Sequence, residues 1–432
     1  MTMRAATSQK LRIIRAFSAS EPLTSQQKSV LWLLWLATLP SAFVNTVFTQ
    51  TVAYAATEFG ISTSGQGFGA AIVRWGVVIA LPFALTADKF GRRKMIVALA
   101  WLAPLVTSLG AMSPSFSVLV ATQTIGRPLG IALSVFVIVF ATEEMGNNTR
   151  AWALSVLAVA SGIGAGSAVA ALPLAGISQS SWRYVYLVGL GWLFVAVVLT
   201  KKLPETRRFL ALSNEQRKED HAHQSAAVHA HIHQDRLWLQ IAVAILMNVF
   251  VAAASIFQIR YLKDVRGYSA TLVAAYSILT AIPASFGLVI GGRLADKNGR
   301  KRLAVISIPA GSILIACSFA LSGPIMWVSA LSGGIFLGLA YPAMAVFRNE
   351  LFPTAHRNLA SAIITTASLI GGSAGLISAG VLLDQGVSYA RVMLGFALGP
   401  VLVALLVAFK YPETAHRDLE DLNPEDAQLH VL

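Results

Sequence analysis

The chain has little charge and almost no cysteine. Of its 432 residues only 12% are charged, while 56% are hydrophobic, and the mean hydropathy is +0.66. A soluble globule carries about 25% charged residues, so that class is excluded. The one cysteine, Cys317, excludes an intrachain disulfide. Strict alternation of apolar and polar residues is also missing, which argues against a transmembrane β-barrel. No nucleophile–base set, metal-ligand set or phosphate-binding loop stands in or beside an apolar run. An enzyme is therefore not expected, nor a cofactor or a metal.

What the chain has is long apolar runs. Twelve can each cross a bilayer core: 30–55, 68–87, 95–112, 116–141, 151–175, 183–200, 237–259, 270–290, 303–321, 325–347, 359–383 and 390–410. In lipid a backbone must satisfy its own hydrogen bonds, so these runs should be helices. The expected fold is an all-α membrane protein with twelve transmembrane helices, and the bilayer is its first partner.

The net charge of +13 could suggest nucleic acid, but its distribution argues otherwise. Lys and Arg concentrate before the first run and in every second connection. The alternate connections hold only Arg183, Arg260, Lys263, Arg266 and Arg391, and Arg74 and Arg127 lie inside runs. That asymmetry is the positive-inside pattern, which places both termini in the cytoplasm of a cell or inner membrane. The opening residues are basic and polar, and the run after them is too long for a signal peptide, so 1–29 reads as a cytoplasmic tail. Within it "KLRIIRAF" at 10–17 is weakly amphipathic and could lie on the membrane surface.

The chain also repeats itself. "ADKFGRRKM" at 87–95 returns as "ADKNGRKRL" at 295–303. Asp88 matches Asp296, Glu143 matches Glu350, Arg150 matches Arg357, Arg183 matches Arg391, and "PET" at 204–206 matches "PET" at 412–414. The order is kept at nearly one offset, which implies two six-helix bundles of the same orientation. The expected divisions are 1–29, a first bundle at 30–200, a histidine-rich linker at 201–236, a second bundle at 237–410 and a tail at 411–432. The linker's "HAHQSAAVHAHIH" at 221–233 could bind a metal or sense pH, but it reads more simply as a solvated connection.

Parallel six-helix repeats are one of the known transporter architectures. The duplicated charged word resembles the signature of the major facilitator superfamily. Its second copy is complete over 292–302, and its first has Ala84 in place of the glycine. "GRPLG" at 126–130 resembles the fourth-helix arginine motif. "EEMGNNTR" at 143–150, "ELFPTAHR" at 350–357, "SWRYVYLVG" at 181–189 and "PETRRFL" at 204–210 resemble the sugar-porter-like branch, which includes metabolite–proton symporters. The resemblance implies alternating access and a cavity lined by the first, fourth, seventh and tenth helices. It further implies that Asp88, Arg92, Glu143, Arg150, Asp296, Arg300, Glu350 and Arg357 form a gating charge network, latching the halves on the cytoplasmic side. The alternative is that these charges only anchor and orient helices.

Arg127 is expected near mid-membrane, about eleven residues or roughly 16 Å into its helix. A charge at that depth marks a pathway or a partner. Its repeat mate is Ile335, and that of Arg74 is Ile282. Arg74 could pair with Glu58 or help attract an anion. Asn45, Gln50, Tyr54, Gln123, Asn248, Gln258, Trp327 and Tyr341 are further candidates for lining the cavity. No Asp or Glu falls near the middle of a run. The sugar–proton symporters of the resembling branch often have a carboxylate in the first helix, and here that helix reads "LPSAFVNTVFTQ". Proton coupling would then fall to Glu143 or Asp88, or be missing. Gly162 and Gly166 form a G-x-x-x-G face for close helix contact. The expected function is a monomeric secondary transporter of a small neutral or anionic metabolite, a sugar or an organic acid. The alternatives are an exporter of the same fold and a non-transporting membrane sensor.

Overall fold

The computed structural model describes residues 22–79, 91–145, 147–205, 234–352 and 357–415. All regular structure among them is helical. The first group is α1 Ser25–Glu58, α2 Thr63–Trp75 with a 3-10 turn Gly76–Ile79, α3 Arg92–Ser108, α4 Phe116–Glu144, α5 Asn147–Ala170 and α6 Trp182–Lys202. The second is α7 Gln234–Arg260 with a π turn Tyr261–Val265, α8 Ala270–Asn298, α9 Arg300–Ser318, α10 Gly323–Glu350, α11 Arg357–Asp384 and α12 Tyr389–Lys410. Eleven of these are long and apolar enough to cross a membrane. The expected second run, 68–87, is described only as far as Ile79, so the full count of twelve is not reached among the described residues.

Boundaries follow capping chemistry. Thr24 and Gln27 form a reciprocal capping box at the start of α1. Ser62, Ser115, Ser269 and Ser388 each accept a backbone N–H three residues on, and so start α2, α4, α8 and α12. This is why α2 begins at Thr63, earlier than its apolar run. The sixth run is not continuous: α6 breaks at Trp192, between Trp182–Gly191 and Leu193–Lys202. Gly189 and Gly191 come just before the break and weaken the helix there. The close-contact glycine of α5 is Gly164, whose Cβ would come 2.3 Å from the Leu39 carbonyl oxygen; Gly162 and Gly166 have nothing within 4 Å. Two residues turn a helix by about 200°, so the expected G-x-x-x-G face points away from α1.

Large apolar side chains cover the outside, including Phe409 at 80% exposure and Phe286 at 64%. Such a surface suits lipid and not water. Contacts define two faces of the molecule. On the terminal face meet the starts of α1 and α3 with the ends of α4 and α6, and the starts of α7 and α9 with the end of α10 and the segment after α12. On the distal face meet the end of α1 and the start of α6, and the starts or ends of α2, α7 and α11. α1–α6 pack on one another, as do α7–α12. The crossings between the two groups are α2 on α11, α5 on α8, and α7 on α1 and α2.

The buried core shows where the groups join. One apolar cluster runs from α1–α6 into the second group through Phe250, Phe257, Tyr276, Ala316, Leu376 and Val392. A second cluster, including Val243, Ala304, Phe347, Ile364, Val407 and Tyr411, belongs to α7–α12 alone and lies toward the terminal face. Among the described residues the halves share one core distally and have separate cores toward the terminal face.

Candidate functional site

The distal seam is polar and joins the halves. The Asp384 carboxylate at the end of α11 accepts the Thr63 and Ser64 amides at the start of α2, both at 2.9 Å, and also the Thr63 hydroxyl. A carboxylate on a helix N-terminus satisfies otherwise orphaned N–H groups and complements the helix dipole. Arg260 of α7 donates to the Ile61 and Ser62 carbonyls at 3.3 and 3.2 Å and to Gln66 Oε1 at 2.9 Å. Lys263 donates to Thr57 and lies 5.5 Å over the Tyr54 ring. Backbones touch along the same line: a Cβ on Gly67 would come 2.3 Å from the Leu376 carbonyl oxygen, and one on Gly380 would meet Ser64 at 2.7 Å. Beside the seam is a cavity of about 420 Å³, lined by Tyr54, Thr57, Ser178, Gln179, Lys263 and Tyr268 among others.

The terminal face is organised differently. Arg92 pairs with Glu143 at 3.2 Å, and Arg300 with Glu350 at 2.6 Å. Gly91 and Gly299 precede α3 and α9 with φ of 91° and 94°, a region that favours glycine, and neither has a side chain to cap the helix. The two repeated "PET" words supply the caps. Glu205 accepts the Arg93 amide at 3.1 Å, and Glu413 accepts the Arg300 and Lys301 amides at 3.0 and 3.1 Å. Arg93 also donates to the Leu203 and Thr200 carbonyls. Each of these contacts closes within one half. The resemblance implies a latch between halves from these charges; in the state described here Arg92 pairs with Glu143 and Arg300 with Glu350, each within its own half. Arg150, at the start of α5, is exposed. Asp296 and Arg357 lie in described helices, with their side chains outside the description. Asp88 and the histidine-rich 221–233 lie outside the described residues.

Between the faces lies a mid-depth cluster. The Arg74 Nη2 donates to Asn248 Oδ1 at 2.6 Å and to the Ser368 carbonyl at 3.4 Å, linking α2 to α7 and α11. Its guanidinium rests on Gly372, where a Cβ would come 2.4 Å from Nε. Backbones of α2 and α4 approach at Gly76, whose Cβ would lie 2.4 Å from the Thr124 carbonyl oxygen. Arg74 and Arg127 flank that contact. One turn beyond Arg127, Gly130 faces Asn45, with a Cβ-to-Oδ1 distance of 3.2 Å. Buried atoms with no hydrogen-bond partner include Arg74 Nε, Arg127 Nε, Asn45 Oδ1, Gln50 Oε1 and the Tyr54 hydroxyl.

The ten candidate lining residues therefore separate. Arg74, Arg127, Asn45 and Asn248 share the mid-depth cluster. Gln50 and Tyr54 lie one turn apart on α1, nearer the distal cavity. Gln258 donates to the Tyr276 hydroxyl at 3.4 Å, joining α7 to α8. Gln123 does not line a cavity: it is fully buried between α3 and α4 and donates to the Thr107 carbonyl at 3.0 Å. Tyr341 is 67% exposed on α10, and Trp327 donates to the Tyr268 hydroxyl at 3.1 Å. Nor does Arg74 pair with Glu58, whose carboxylate is held by Arg183 and Trp182, both at 2.5 Å. Asp384, Arg260, Glu205 and Glu413 were not singled out by sequence reasoning. Only the repeated "PET" signalled any of them, and it served there as a marker of duplication.

Comparison with known proteins gives a consistent result. Residues 34–324 and 277–431 match the Major Facilitator Superfamily. A putative metabolite transport protein of Haemophilus influenzae is 25% identical over 372 residues, covering 82% of this chain and 88% of that one. A putative transporter of Caenorhabditis elegans is 24% identical over 346 residues, covering 73% of this chain and only 58% of that relative's length. Among solved structures, the inward open conformation of the xylose transporter XylE from E. coli superposes with a TM-score of 0.75 at 18% identity, covering 92% of this chain and 99% of that one.

Proposed function

Given that the chain belongs to the major facilitator superfamily, we propose that it is a secondary transporter that moves a small neutral or anionic metabolite, a sugar or an organic acid, by alternating access. Twelve spans form two six-helix bundles over 30–200 and 237–410, and the terminal face is cytoplasmic. The protein acts as a monomer in the cell membrane.

One observation carries this reading. The two halves share core and hydrogen bonds on the distal face and at mid-depth, and among the described residues they share none toward the terminal face. Two bodies joined at one end enclose a site open to the other, which is one of the two states that alternating access requires. The metabolite transport protein of Haemophilus influenzae and the xylose transporter support a metabolite as cargo. In the opposite state Asp88, Glu143, Asp296 and Glu350 with their arginines become the gate on the terminal face. Glu143 is also a candidate proton carrier, since its Oε2 is buried without a hydrogen-bond partner. The test is flux in proteoliposomes against a panel of sugars and organic acids, with and without a proton gradient. Saturable uptake of one solute class is expected, and no flux of any solute would remove the reading.

A further inference from the structure

Among the described residues the mid-depth cluster has two positive charges and no negative one. Described acids stand at helix ends or in connections: Glu58 is held by Arg183, Glu143 by Arg92, Glu350 by Arg300, Asp264 by Arg260, and Asp384 by the start of α2. Arg74 spends one guanidinium nitrogen on Asn248 and a carbonyl, both neutral, and keeps a buried Nε without a partner. Arg127 is only partly exposed, and its Nε is buried and unpartnered. Arg74 and Arg127 stand on either side of the α2–α4 backbone contact at Gly76 and Thr124. A buried charge is costly unless matched, and two like charges side by side cost more. The repeat shows that the fold does not demand them, since the matching positions are Ile335 and Ile282.

A counter-charge that the described residues here do not supply can come from the cargo. We propose that Arg127 and Arg74 form a carboxylate-binding site, so that the cargo is a small organic acid carried as its anion and not a neutral sugar. The assignment rests on the transport reading above and narrows it. A guanidinium presents a planar fork of donors matched to a carboxylate. Arg127 provides that fork from α4. Arg74, fixed by Asn248, holds a second positive charge beside it. Asn45 of α1, which faces Gly130 one turn along α4 from Arg127, offers an unpartnered Oδ1 that can accept a hydrogen bond from a hydroxyl of the cargo.

The test is thermal unfolding of the purified full chain with acids and their neutral counterparts of matched shape: gluconate against glucose, lactate against lactamide, benzoate against benzamide. A ligand of the folded state raises the melting temperature. At least one acid should stabilise at millimolar concentration where its neutral counterpart does not. Arg127→Gln should weaken that acid roughly 10- to 100-fold, the worth of hydrogen bonds to a charged group. Arg127→Lys should lose less. Without ligand, Arg127→Gln should melt no lower than the native chain, because an unmatched charge does not support the empty fold. Equal stabilisation by the neutral counterparts, no stabilisation by any of the acids, or a lower melting temperature for empty Arg127→Gln would each overturn the assignment. Proteoliposomes separate the two claims. Acids that bind but never cross remove transport and leave the site, whereas uptake of glucose in preference to gluconate removes the site and leaves transport.

Discussion

The two faces of this molecule use similar chemistry to opposite ends. On the distal face a carboxylate caps a helix of the other half, Asp384 on α2. On the terminal face carboxylates cap helices of their own half, Glu205 on α3 and Glu413 on α9. Arginine behaves the same way: Arg260 reaches across to the α1–α2 connection, while Arg92 and Arg300 stay at home. Charge alone does not make a gate. Only a contact that spans the halves depends on their relative position, so among the described residues the distal and mid-depth contacts hold the present state.

Breaking the distal seam should have the largest effect. Arg260→Ala removes three hydrogen bonds to the other half, two to the α1–α2 connection and one to Gln66 of α2. At about 1.5–3 kcal/mol for bonds to a charged group, less screening at an exposed edge, the distal-open population should rise roughly tenfold or more. The measurement is labelling of Gln50→Cys by a membrane-impermeant thiol reagent from the distal side, in a Cys317→Ser background. Unchanged labelling would mean that the seam does not set the state. Asp384→Asn comes next. Losing a helix cap costs about 1 kcal/mol, which is roughly fivefold in the same labelling rate.

Gly372→Ala should act more locally. Its new methyl would displace the Arg74 guanidinium, so cargo affinity should fall severalfold while distal labelling changes little. Equilibrium binding of the stabilising solute checks it. Glu143→Gln should have the smallest effect on the present state, because its partner is within its own half. Distal labelling should be unchanged, and the melting temperature should drop by no more than a few degrees, in line with roughly 1 kcal/mol. A large rise in labelling in that variant would show that the terminal-face pair is coupled to the seam after all.

Much of the fold could be read from the sequence, because a bilayer imposes a minimum apolar length and the repeat duplicates each landmark. The mid-depth arginines were legible for a related reason: a charge inside an apolar run stands out. The seam was not. Asp384 sits at the end of a run, where an acid is ordinary, and its repeat position is Gly176, so the repeat gave it no mark. Arg260 looked like one more cation outside the spans. Gln123 looked like a lining residue because a polar side chain in a helix does not state which neighbour it faces, and its partner proved to be a backbone carbonyl of α3. Gly162 and Gly166 failed in the same way. Their spacing marks a face of α5, but Gly164 on another face meets α1. Periodicity orders residues around one helix, and it does not assign the helix that receives them.

The borrowed caps also bear on how the protein is made. A helix that starts at a bare glycine and takes its cap from a side chain 112 positions later cannot be finished when it leaves the ribosome. α3 waits for Glu205, and in the second half α9 waits for Glu413, close to the last described residue. The start of each of these helices therefore gains its cap only when the sixth helix of its half has been synthesised. A chain halted before residue 205 would leave the start of α3 uncapped at the membrane surface, where proteases and chaperones can find it.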